Sequence, residues 1–196
     1  MNQNYTEQDG SEASFRVPQK SNFVSNCFEW IEALVTSLIL VVILFTFIFR
    51  IVNVSGPSML PNLRSRDRVV LSSYFYKPQR GDVVVITHSA NFNEPIIKRV
   101  IALENQVVDI NYLTGYVSVD GKELDESAYI QNGITTQQSD FKFPLTVPKG
   151  HVFVLGDNRS VSNDSRFSEI GMIDERYILG KAEYIVFPLS RFGKVK

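Results

Sequence analysis

Ile96-Ile97-Lys98-Arg99-Val100-Ile101-Ala102-Leu103 follows Pro95 and carries two adjacent charges inside a β-branched, apolar run. Read as a strand, it sets Ile96, Lys98 and Val100 on one face and Ile97, Arg99 and Ile101 on the other. Outward from it the same pattern repeats, short β-branched and aromatic runs separated by turn signals. Upstream, Asp67–Tyr76 (DRVVLSSYFY) ends at Lys77-Pro78, and Gly81–Thr87 (GDVVVIT) ends near Asn91. Downstream, QVVDI and GYVSV form a hairpin pattern closed by Asp120-Gly121, HVFVLG (His151–Gly156) enters a polar loop, and KAEYIVFPL (Lys181–Leu189) is the last run. Strands this short and frequent predict a mainly β, antiparallel or mixed barrel-like sheet, not a parallel α/β fold. Residues 105–144 are expected to form a small outer lobe or insertion, a reading carried by the Gln-, Ser- and Asp-rich stretch Glu123–Lys142.

The N-terminal quarter is different. Ala33–Phe49 reads ALVTSLILVVILFTFIF, without charge, proline or glycine. Trp30 and Ile31 extend it on one side, Ile51 and Val52 on the other, with Arg50 placed to snorkel. A helix of about 20 residues crosses the ~30 Å hydrocarbon layer, so residues 30–52 are expected to be a transmembrane anchor helix. The run exceeds the roughly 7–15 apolar residues of a cleaved secretory signal. Residues 1–29, polar and acid-leaning, read as a disordered tail, and residues 53–196 as the β-rich domain. Basic residues flank the span unevenly: Arg16 and Lys20 before it, Arg50, Arg64, Arg66 and Arg68 after it. Counted alone, they would keep the C-terminal part cytoplasmic.

Composition excludes several classes. With 20 basic and 21 acidic side chains there is no electrostatic footprint for nucleic acid. One cysteine, Cys27, and two histidines, His88 and His151, leave too few ligands for a structural zinc site and no intramolecular disulfide.

Three segments carry chemistry, and each has a plainer reading. Ser55-Gly56-Pro57-Ser58-Met59-Leu60-Pro61 is a constrained turn that presents the Ser58 hydroxyl and free backbone amides, or else a linker. Lys98 is either an edge lysine that blocks aggregation or a desolvated amine whose lowered pKa makes it a base. Gly156-Asp157-Asn158-Arg159-Ser160-Val161-Ser162-Asn163-Asp164-Ser165-Arg166 interleaves Arg and Asp with Ser, which suits a paired, hydrogen-bonded network rather than a solvated loop.

In that order and spacing, the chain resembles the bacterial type I signal peptidases, in their short, Gram-positive-like form. The match comprises an N-terminal anchor, S-G-P-S-M-L-P, I-K-R-V and G-D-N-R-x-x-S-x-D-S-R-x-x-x-x-G, over Ala33 to about Phe187. The resemblance implies a membrane-bound serine endopeptidase with Ser58 as nucleophile and Lys98 as general base, needing no metal or cofactor. It implies a Ser162 hydroxyl that orients the lysine amine, a supporting Asp164–Arg166 pair, and an Asp157–Arg99 pair. His88 and His151 are then structural. Gly56 stands where some relatives carry a hydroxyl that helps bind the oxyanion. Val52, Val54, Met59, Leu63, Val69 and Ile97 match the positions of the substrate pockets, with core packing as their alternative role. The implied partners are signal peptides of secretory preproteins, the lipid bilayer and the export translocon. The implied location is the plasma membrane, with the N-terminus cytoplasmic and the catalytic domain outside, opposite to the charge count. Glu104-Asn105-Gln106-Val107 departs from the glycine- and proline-containing turn of many relatives. Two rivals compete: a non-catalytic anchored assembly factor, which would be expected to lack the serine or the lysine, and a self-cleaving repressor-like peptidase, which would carry a DNA-binding domain in place of the span.

Overall fold

The structure, a computed structural model, describes residues 23–74, 76–87, 94–130, 134–136 and 138–196, excepting the side chains of residues 23–25 and 44–49. His88 and the expected tail up to residue 22 lie outside the described residues. The chain divides into two units, residues 1–41 and 42–196.

Helix α1 spans Phe23–Ile48, about 39 Å at 1.5 Å per residue. Its apolar side chains are exposed on all sides, Trp30 at 78%, Leu34 at 65% and Leu40 at 62% among them. Among the described residues it is the one helix long and apolar enough to cross a membrane. The helix begins inside the stretch read as tail and stops four residues short of the expected Val52. The following residues, Phe49–Asn53, form strand β1. Pairing decides this: Ile51 and Val52 lie opposite Val70 and Val69 of strand β2, Arg68–Ser72.

The second unit is mainly β, and its larger sheet curls into a half-barrel. The remaining strands are β3 Val83–Ile86, β4 Ile96–Ala102, β5 Val107–Asn111, β6 Tyr116–Val119, β7 Lys122–Glu123, β8 Leu145–Thr146, β9 His151–Leu155, β10 Ile173–Asp174, β11 Ile178–Phe187 and β12 Gly193–Lys194. Each run expected to be a strand carries one, most of them shorter at the ends, while β11 begins three residues before the expected Lys181. The larger sheet has the order β1-β2-β11-β3-β4-β9-β10 with β12 on β11, and β7-β6-β5-β8 make a second sheet. Every pairing is antiparallel. The Glu104-Asn105-Gln106 stretch makes a tight turn, with Asn105 at φ +64° and Gln106 N–H donating to Leu103 O at 3.2 Å. Asparagine tolerates that left-handed conformation where most residues do not.

Among the described residues, β1 and part of β4 each keep an unpaired edge in the large sheet. β4 pairs with β3 along Ile96–Arg99, but with β9 only from Arg99 onward. One edge of Ile96–Lys98 is therefore without a ladder partner. β1 is the terminal strand of the sheet and has one free edge too.

Candidate active site

The Ser58 turn is built from its ends inward. Val54 N–H donates to Asp67 O at 2.8 Å, and Arg66 N–H returns to Val54 O at 3.0 Å. Gly56 takes φ +84°, a conformation that glycine adopts at no steric cost, and its N–H donates to Ser65 Oγ at 3.0 Å. Leu60 N–H donates to Pro57 O at 3.1 Å, closing a turn around Ser58. Met59 and Leu63 sink into the core beside it, 2% and 0% exposed. Ser58 itself is left half-buried.

From β4, the Lys98 amine reaches this turn, with Nζ 3.0 Å from Ser58 Oγ. Lys98 is only 4% exposed. Burial lowers its pKa from 10.5 to about 8; Asp164 and Asp157 oppose the shift, and Arg166 reinforces it. Of the two readings the sequence left open, the desolvated lysine is the one the structure shows.

The polar loop after β9 holds both. Asn158 N–H donates to Ser58 O at 2.9 Å, and its Nδ2 to Pro57 O at 3.2 Å. Gly156 lies so close that an added Cβ would fall 2.2 Å from Ser162 Oγ and 2.6 Å from Ser58 O. Asp164 and Arg166 form a bidentate pair at 2.8 and 2.9 Å, both fully buried. Asp164 also accepts from Gly156 N–H at 3.0 Å, and Arg166 Nη2 donates to Ser162 O at 3.1 Å. Arg99 and Asp157 are joined by two 2.7 Å bonds.

Two placements differ from expectation. Among the described residues, Ser162 Oγ is buried without a hydrogen-bond partner, and the lysine amine bonds Ser58 instead. Of the six pocket candidates, only Val52 and Ile97 line the cleft of about 380 Å³ that contains Ser58 and Lys98. Val54, Met59, Leu63 and Val69 belong to the core cluster against which Val52 and Ile97 pack. Ser55 of the S-G-P-S segment lines the cleft too, and so do Asn53, Val85 and Glu94, which the sequence reading did not single out. His151 opens β9, its Nδ1 within 2.9 Å of Lys149 O.

The sequence reading also missed a turn of the outer lobe. Tyr129 and Ile130 N–H both donate to Glu126 O at 3.1 Å. Glu126 is paired with Arg159, Tyr129 O accepts from Asn62 Nδ2 at 2.7 Å, and the Tyr129 ring lies 4.3 Å beneath the Arg99 guanidinium. These contacts join residues far apart in sequence, and no local motif announces them.

A serine hydroxyl hydrogen-bonded to a desolvated amine in an open cleft is an arrangement that can support acyl transfer through the serine. Residues 27–187 match the family model described as "Signal peptidase, peptidase S26". Over 184 residues the chain is 30% identical to Signal peptidase I of Bacillus licheniformis, with 90% of this chain and 97% of the relative covered. Over 181 residues it is 34% identical to Signal peptidase IB of Staphylococcus aureus, with 84% and 91% covered. A crystal structure of a signal peptidase I from Enterococcus faecalis V583, 31% identical, overlaps 54% of this chain and 97% of its own at a TM-score of 0.44. By the family model and these relatives' sequences, the chain belongs to the signal peptidase family, peptidase S26.

Proposed function

We propose that the chain is a membrane-anchored endopeptidase that removes signal peptides from exported preproteins, with Ser58 as nucleophile and Lys98 as general base. The observation that carries this is the 3.0 Å contact between Ser58 Oγ and a lysine amine whose burial brings it close to neutrality. In the reaction, the neutral amine takes the Ser58 proton while Oγ attacks the scissile carbonyl. The protonated amine then gives its proton to the leaving amine of the mature protein, and the signal peptide stays as an ester on Ser58. A water deprotonated by Lys98 cleaves the ester and returns the serine. Among the described residues the Ser58 N–H makes no hydrogen bond, and it serves as an oxyanion donor. Asp164–Arg166 and Asp157–Arg99 fix the loop and the lysine strand, and the Ser162 hydroxyl is the partner for the amine when Ser58 is acylated.

The substrate binds as an added strand between the free edges of β1 and Ile96–Lys98, where main-chain bonds hold it and Val52 and Ile97 limit its side chains. Helix α1 spans the plasma membrane with the N-terminus cytoplasmic, so that the β-rich domain meets preproteins emerging from the translocon. The anchor segment lies within α1 and ends with it at Ile48, and residues 105–144 act as the outer lobe.

The test is cleavage of a model preprotein in detergent by wild type, Ser58→Ala and Lys98→Ala. Wild type should cut after the small-x-small site and both variants should be inactive. A wild type that fails on good substrates under alkaline conditions sinks the proposal and favours an anchored binding module.

A further inference from the structure

Glu126, Ser127, Ala128 and Tyr129 form a turn of the outer lobe that touches all three catalytic segments. Toward the Ser58 turn, Asn62 Nδ2 donates to Tyr129 O and to Asp157 Oδ2, each at 2.7 Å. Toward the lysine strand, the Tyr129 ring packs 4.3 Å from the guanidinium carbon of Arg99, the residue next to Lys98. Toward the polar loop, Glu126 accepts from Nη1 and Nη2 of Arg159, and Thr135 Oγ1 accepts from Nη1 at 2.7 Å. Arg159 Nε in turn donates to Gly156 O at 3.0 Å, and its neighbour Asn158 holds the Ser58 carbonyl.

Glu126 and Arg159 are each 4% exposed. A buried ion pair contributes little net stability compared with an apolar filling of the same volume. What it does supply here is direction, since a bidentate carboxylate fixes the guanidinium in plane and orientation. The Tyr129 hydroxyl donates to Glu126 at 2.8 Å, tying the two side chains into one unit.

We propose that the Glu126–Tyr129 turn is a positioning element for the dyad, holding the Ser58, Lys98 and Asn158 segments in register. This rests on the Ser–Lys peptidase reading. A misplacement of about 1 Å between reacting groups costs as much as 10²-fold in rate, so a brace common to three segments acts on turnover more than on substrate affinity. The brace reaches Lys98 through the β4 backbone, because the Arg99 side chain it holds points to the opposite face of the strand.

The experiment uses the full chain in detergent, with Glu126→Gln, Tyr129→Leu and Tyr129→Phe compared on a model preprotein after thermal melts establish the folded fraction. For folded Glu126→Gln and Tyr129→Leu, kcat falls by about tenfold or more with KM little changed. Tyr129→Phe, which keeps the ring under Arg99, recovers most of the loss. Should Glu126→Gln fail to fold, Tyr129→Leu decides alone. Folded variants with wild-type kcat, or a loss that only tracks the folded fraction, overturn the brace. A wild type that cleaves nothing overturns the brace and the peptidase reading together.

Discussion

Lys98 Nζ lies 3.0 Å from Ser58 Oγ, across 40 residues of sequence. The contact exists because a core of Met59, Leu63, Val83 and Val85 draws the Ser58 turn and the β3–β4 pair together. Its chemical value lies in the state of the amine.

The first prediction concerns pH. Lys98 titrates at about 8, and only its neutral form accepts the serine proton. The pH profile of kcat/KM should rise through about pH 8 and level above it. Lys98→Arg, which stays protonated, should lose roughly 10²–10⁴-fold, the usual contribution of a positioned base. A flat acidic optimum, or appreciable cleavage by the arginine variant, would refute the assignment.

The second concerns stability. Lys98 binds its proton less readily folded, at about 8, than unfolded, at 10.5. Between those values the unfolded chain binds more protons, so stability rises with pH across the interval, and the full penalty is present below about pH 8. At one unit per 1.36 kcal/mol the penalty is about 3 kcal/mol. Lys98→Met should therefore be more stable than wild type at pH 7, with the difference closing as pH approaches 10.5. Denaturant titrations of both proteins across that range check this, and a difference independent of pH would contradict it.

The third concerns Gly156. A methyl group there meets Ser162 Oγ at 2.2 Å and the Ser58 carbonyl at 2.6 Å, and the carbonyl is backbone that cannot swing aside. Gly156→Ala should cost about 1–3 kcal/mol by overpacking. It should also cut kcat by about tenfold or more by displacing Ser58. Kinetics at a temperature where the variant is fully folded separate the two effects. Wild-type turnover would show that the loop yields elsewhere.

Much of this architecture was legible in the chain. The apolar stretch before Phe49 and the β-branched runs gave the helix and the strands, because both depend on local periodicity. The Asp157–Arg99 and Asp164–Arg166 pairings followed from a resemblance carried by contiguous motifs. The end of α1 was misplaced because Ile51 and Val52 suit a membrane helix or a strand equally well, and only pairing with β2 decides between them. Val54, Met59, Leu63 and Val69 could not be told from cleft residues, since a pocket wall and the core behind it need the same apolar side chains. Glu126 and Tyr129 were invisible for a further reason: their partners, Arg159, Asn62 and Arg99, are distant in sequence and come near only in the folded chain.

The edge of Ile96–Lys98 that β9 leaves unpaired has one more consequence. A ladder of main-chain bonds is blind to sequence, so every extended polypeptide that enters gains the same backbone attachment. Discrimination must then come from what the side-chain walls refuse. On the strand-addition reading proposed above, the site selects its cut by exclusion, and enlarging the walls would make it indiscriminate before it made it weak.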